Sequence, residues 1–137
     1  MMEERKNNSN EGLERLLIAQ DGKRGNYTLY KLALKEIQEG KLGFECWIRH
    51  VYPQQKRKGT SRPISMVLMD VKRRKHTLNM ILRERLIEAA QVLLKTDKPI
   101  FEIFSNLGVM KLRTCMLLFA SVSDEPVFKQ VVNKYRW

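Results

Sequence analysis

Apolar positions recur every three or four residues along most of this chain, and the periodic segments are separated by glycine, proline, serine and asparagine. The clearest case is a hairpin from Lys111 to Tyr135. Leu112, Cys115, Met116 and Phe119 share one side of a helix, and Val127, Phe128, Val131, Val132 and Tyr135 repeat the stripe after a Ser121 to Asp124 corner. Phe119 is expected to meet Phe128 or Val131 across that corner. Asp124 is placed to cap the second helix, with Glu125 and Pro126 in its first turn. The longest stripe is Leu78, Ile81, Leu82, Leu86, Ala89, Ala90, Leu93 and Leu94, with Arg83, Glu84, Arg85 and Glu88 opposite; it predicts the central helix.

The remaining segments are shorter. Leu13, Leu16 and Leu17 predict a helix ending near Gln20, and Asp21 to Gly25 breaks it. Asn26 is placed to cap a helix over residues 27–39 whose face is Tyr27, Tyr30, Leu34 and Ile37 and whose stop is Gly40. Residues 43–54 are rich in aromatics and predict a short strand-like or helical segment across the core, with Trp47 and Tyr52 buried. Residues 54–62 read as a mobile loop and Ile64 to Val71 as a helix. Asp97 and Pro99 start a short helix carrying Ile100, Phe101, Ile103 and Phe104; Ser105 to Gly108 then reads as a connector. The expected architecture is a single all-α domain of five to seven helices over residues 11–137, preceded by a polar, disordered tail at residues 1–10.

Charge sharpens this picture. The net charge is +11, and between Lys56 and Lys75 eight basic residues (Lys56, Arg57, Lys58, Arg62, Lys72, Arg73, Arg74 and Lys75) face only Asp70. So local an excess of one sign concentrates anions, although a charge run also serves simply to solvate a loop. The polar, partly acidic start matches neither a secretory signal nor a presequence, and no apolar run approaches the ~20 residues that span a bilayer. Two cysteines, Cys46 and Cys115, without a C-x-x-C pair, fit free thiols in a reducing, intracellular compartment.

Candidate chemistry is sparse. Cys46 and His50 are four apart and would share a helix face, as a thiolate–imidazole pair or two metal ligands, but a metal needs three or four ligands and His76 and Cys115 add no ligand spacing. Packing is the simpler account, and neither a metal nor a cofactor is expected. Phosphate-loop and hydrolase signatures do not occur. Glu84, Glu36 and Glu39 lie beside basic residues and read as surface ion pairs. Gln20 and Gln54 stand in apolar settings, where an amide either ties helices together or faces a pocket.

Several segments, in order, resemble the all-helical family DUF1810: Leu13-Glu14-Arg15 with Ala19-Gln20, Tyr30 and Ala33-Leu34 through Gly40, Trp47 with Tyr52-Pro53-Gln54, Arg85-Leu86 with Glu88, Ile103-Phe104, and Lys111-Leu112-Arg113 through Lys134-Tyr135. Cys46 to Tyr52 departs from the family's usual aromatic series, and the segment 55–75 is more basic. The resemblance implies a helical fold and supplies no reaction.

Three functional expectations follow. The first is a binding domain that holds a phosphate-rich partner, nucleic acid above all, through the basic segment, with Trp47 and Tyr52 available to stack if exposed. The second is a nucleotide or ADP-ribose-like ligand in a pocket lined by Gln20, Trp47, His50 and Gln54, where an enzyme acting on such a ligand would also have its site. The third is docking on an acidic protein surface, which requires an exposed apolar patch to act with the charge.

Overall fold

The structure, a computed structural model, describes residues 2–40, 47–54 and 64–137, with side chains in the first helix described from Gly12 onward. It is all-α, with eight helices among the described residues: α1 (Met2–Asp21), α2 (Leu29–Glu39), α3 (Ile48–Val51), α4 (Ile64–Leu68), α5 (Thr77–Lys95), α6 (Ile100–Ile103), α7 (Asn106–Val122) and α8 (Pro126–Tyr135). The helix of α1 takes in the polar residues that the sequence assigns to a tail. Residues 55–62 of the expected basic loop, and Cys46, lie outside the described residues.

α5 is central, packing on α1 and α2, on the short α3 and α4, and on α8; the α7–α8 hairpin closes the core. Leu82, Leu86, Ala89, Ala90 and Leu93 of α5 are buried, as are Leu112, Cys115, Met116 and Phe119 of α7 and Val127, Phe128 and Val131 of α8. The Phe119 and Phe128 rings are 5.6 Å apart, as the hairpin pattern requires. Trp47 and Tyr52 are buried too, and the Trp47 ring meets Phe104 edge-on at 6.0 Å.

Local chemistry corrects several boundaries. Tyr27 belongs to a two-residue strand, Tyr27–Thr28, paired antiparallel with Lys23–Arg24, so it is exposed and outside the helix. The turn between them needs Gly25, whose φ is +66. The cap of α2 is consequently Thr28, whose hydroxyl accepts from the Lys31 N–H at 3.2 Å, and Asn26 is not used. Gly40, at φ +67, ends α2 in the left-handed conformation as expected. The expected connector Ser105 to Gly108 is the start of α7: Ser105 Oγ accepts from the Gly108 N–H at 3.2 Å, which offsets the poor helix propensity of glycine. Glu125 rather than Asp124 occupies the cap position of α8, and Pro126 stands in its first turn.

The C-terminal end of α5 is closed by side chains from α8. The Lys134 ammonium donates to the carbonyls of Leu93, Leu94 and Thr96 at 3.0, 2.8 and 2.6 Å, and Tyr135 Oη–H donates to Leu93 O at 2.6 Å. Three ammonium protons thus meet three carbonyls around the end of α5, where acceptors are unpaired and the helix dipole is negative.

Candidate functional site

The basic segment enters the described residues just after α4. Asp70 caps a 3-10 turn, Val71–Arg73, its carboxylate accepting from the Lys72 N–H at 2.9 Å. The chain continues through Arg74 and Lys75 to His76, which is extended and caps α5 with no side-chain hydrogen bond; no acid stands in the first turn of α5. A run of cations therefore feeds straight into a helix N-terminus whose dipole has the same sign. Arg83, two turns along α5, donates to the Arg74 carbonyl at 3.0 Å and fastens the basic turn to the central helix.

Lys72, Arg74 and Lys75 are exposed, Arg73 is half-buried, and Lys72, Arg74 and Lys75 make no ion pair with any described residue. Beside them a cleft of about 360 Å³ is lined by Met69, Val71, Arg74 and Arg83 on one side and Val122 to Glu125 on the other. Val71 is 71% exposed and Met66, one turn earlier, 50%. Four of the eight predicted basic residues, Lys72, Arg73, Arg74 and Lys75, are thus placed together; Lys56, Arg57, Lys58 and Arg62 lie outside the described residues.

Three of the four pocket candidates make side-chain hydrogen bonds that join elements of the fold. Gln20 is buried; its amide N–H donates to the His50 carbonyl at 2.8 Å and its oxygen accepts from Arg85 at 3.1 Å, so one side chain joins α1, α3 and α5. Gln54 donates to the carbonyls of Tyr52 and Lys111 at 2.9 and 3.0 Å, tying the end of α3 to α7. Trp47 donates from its indole to Glu36 at 2.9 Å, and Tyr52 donates to Ala89 O at 2.8 Å. His50 is half-buried. A cleft of about 440 Å³ opens between Gln38 and Gly40 at the end of α2 and the C-terminal turns of α5, and none of the four lines it. With both rings in the core, neither Trp47 nor Tyr52 presents a face for stacking.

Two polar features were not foreseen as a unit. Arg85 pairs with Asp21 at 2.9 Å rather than with its sequence neighbour Glu84, and its guanidinium lies 5.2 Å from the Tyr30 ring centre. Tyr30 donates its hydroxyl proton to Glu88 at 2.5 Å, with the Arg85 carbonyl at 2.9 Å; burial and then the Glu88 carboxylate push its pKa well up. The only signal in the sequence was polar residues on the outward side of the α5 stripe, and their partners are more than fifty residues away. Glu36, expected in a surface pair, holds Trp47 instead, whereas Lys35 and Glu39 do pair. Cys115 is fully buried and desolvation raises its thiol pKa, so it stays protonated and unreactive. Among the described residues no group of three His, Cys, Asp or Glu side chains could hold a metal, and no helix is long and apolar enough to cross a membrane.

Comparison with known proteins now adds the family. Residues 10–136 match the model of the family described as Protein of unknown function (DUF1810). The chain belongs to DUF1810. Among solved structures it is similar to the crystal structure of the conserved hypothetical protein Rv1873 from Mycobacterium tuberculosis, at 25% identity and a TM-score of 0.68 over 90% of this chain and 86% of that one. No curated protein matches the chain. The DUF1810 resemblance of the sequence segments is therefore established over nearly the whole length, and the fold shared with Rv1873 carries no reaction with it.

Proposed function

We propose that this DUF1810 member is a binding domain that holds a phosphate-rich partner, nucleic acid in the first instance, on the basic turn that leads into α5. One observation carries the reading: Lys72, Arg74 and Lys75 stand exposed and without ion pairs to described residues, on a turn that Asp70 and Arg83 fix in place. Cations held on a rigid turn at the positive end of a helix lose little side-chain and backbone freedom when they meet phosphates, and each phosphate neutralised releases a counterion. Contact is with the sugar–phosphate backbone, because the aromatic rings near this segment are committed to the core.

The test is a fluorescence-anisotropy titration of labelled duplex DNA and of single-stranded RNA at two salt concentrations. If four phosphates are neutralised, affinity for the duplex should fall about 100-fold between roughly 50 and 200 mM salt. A Lys72→Ala, Arg74→Ala, Lys75→Ala triple variant should bind more weakly and flatten the log–log salt slope by about 3. No binding at low salt, or binding that ignores salt, sinks the reading.

A further inference from the structure

Helix α7 has two apolar faces, and the core uses only one. Val109, Leu112, Cys115, Met116 and Phe119 are buried, while on the opposite side Leu107, Met110 and Leu117 are 60, 63 and 39% exposed. These three, with the exposed Thr114 and Ser121 between and after them, follow steps of three, four, three and four residues, the spacing of a helix-pairing seam. A surface helix ordinarily keeps its outward face polar, and the outward face of α7 carries three large apolar side chains instead. On the two borders of the seam stand Lys111 and Arg113, and from Asn106 to Val122 there is no Asp or Glu.

We propose that the outward seam of α7 docks an amphipathic helix with acidic flanks, supplied by another protein. The occupant is a helix because a straight seam of alternating three- and four-residue steps receives knobs from another helix at the same spacing, over about 15 Å from Leu107 to Leu117. It is acidic because both borders are cationic, so carboxylates at its flanking positions meet Lys111 and Arg113. A second copy of this chain is disfavoured, since it would bring the same cations and a net charge of +11 against each other. The seam ends at Ser121, next to Val122, which lines the cleft beside the basic turn, so a variant of that turn is needed to show which surface the occupant uses.

The probe is a labelled synthetic peptide of about three heptads, with Leu at its core positions and Glu at its flanks, paired with a twin that carries Lys at the flanks. The full-length protein should bind the acidic peptide with a Kd on the order of 10 µM, as suits a small transient interface, and the Lys twin at least tenfold more weakly. Met110→Glu with Leu117→Glu should lower binding at least tenfold while melting like the parent, because neither residue is in the core. The triple variant of the basic turn should bind the acidic peptide within about twofold of the parent; a tenfold loss would place the peptide on that turn and overturn the proposal. Absence of binding by the acidic peptide, or equal binding of both peptides, overturns the proposal. So does a parent protein that sediments as a concentration-dependent dimer broken by the double variant, which would make the occupant a second copy.

Discussion

The two helices of the C-terminal hairpin treat their outward faces differently. α8 turns Lys129, Gln130 and Asn133 to solvent, whereas α7 turns out Leu107, Met110 and Leu117. Inward they are alike, each placing a row of apolar side chains against the other and meeting at Phe119 and Phe128. Folding of this domain constrains only the inner rows. Outside α8, polar residues do what a solvated surface asks; outside α7 the apolar row leaves most of Leu107 and Met110 in water, at about 25 cal/mol per Å². A feature that the fold does not need is where a separate purpose is to be sought.

The largest expected effect tests the inner row. Emptying the Phe119 site should cost about 3–5 kcal/mol, a large part of the 5–15 kcal/mol typical of a domain, so Phe119→Ala should unfold much of the population by circular dichroism. Met110→Ala, on the outward row of the same helix and 63% exposed, should change stability by no more than about 0.5 kcal/mol. Equal losses for the two would mean that the outward row is part of the core after all.

Next in size is Lys134 on α8. Lys134→Ala removes three charge-assisted hydrogen bonds from the end of α5, but the ammonium is largely exposed, and screening by solvent holds the expected loss to about 1 kcal/mol. Urea melts of the parent and the variant read this directly. A loss comparable to that of Phe119→Ala would place the stability of the hairpin in its last turn rather than in its rings.

The smallest effect appears in alkali. Burial pushes the Tyr135 phenol up to about 12, above its ordinary 10. Between those values the unfolded chain has released this proton and the folded one keeps it, so folding stability falls as pH rises through that window. Tyr30 and Tyr52 shift in the same direction and add to the fall. Tyr135→Phe should therefore melt at a lower temperature than the parent near neutrality, having lost its bond to Leu93, yet decline less steeply between pH 10 and 12. Parallel alkaline declines would mean that Tyr135 ionises alike in both states.

The inner rows were legible in the sequence because they rest on a local rule, the three- and four-residue repeat. Leu112 to Phe119 and Val127 to Val131 follow it without interruption. Where a local rule met competing local chemistry, reading was off by a turn: Gly108 looked like a break, and only the Ser105 hydroxyl, capping across it, makes it helical. Tyr27 kept the helical spacing of its neighbours, but Gly25 folds the chain into a tight hairpin and leaves it outside. The basic turn was visible as composition at Lys72 to Lys75. Its anchorage was not, because Arg83 reaches back nine residues to a carbonyl, a contact with no sequence signature. Gln20 and Gln54 were recognisable as polar residues in apolar company, but their partners His50, Arg85 and Lys111 lie from thirty to sixty-five residues away.

The bonds from Lys134 and Tyr135 to the end of α5 bear on the order in which the molecule opens. Because the last carbonyls of the central helix are closed by the final helix, α8 cannot lift away without exposing them. α5 and α8 should then behave as one cooperative unit: amides in the last turns of α5, around Val92 and Leu93, should exchange with deuterium at the same opening free energy as those of α8 around Phe128 and Val131, despite the distance between them in sequence. The end of this chain thus sets the protection of its middle, and fraying that begins at Trp137 is felt at Leu93 before it reaches α7.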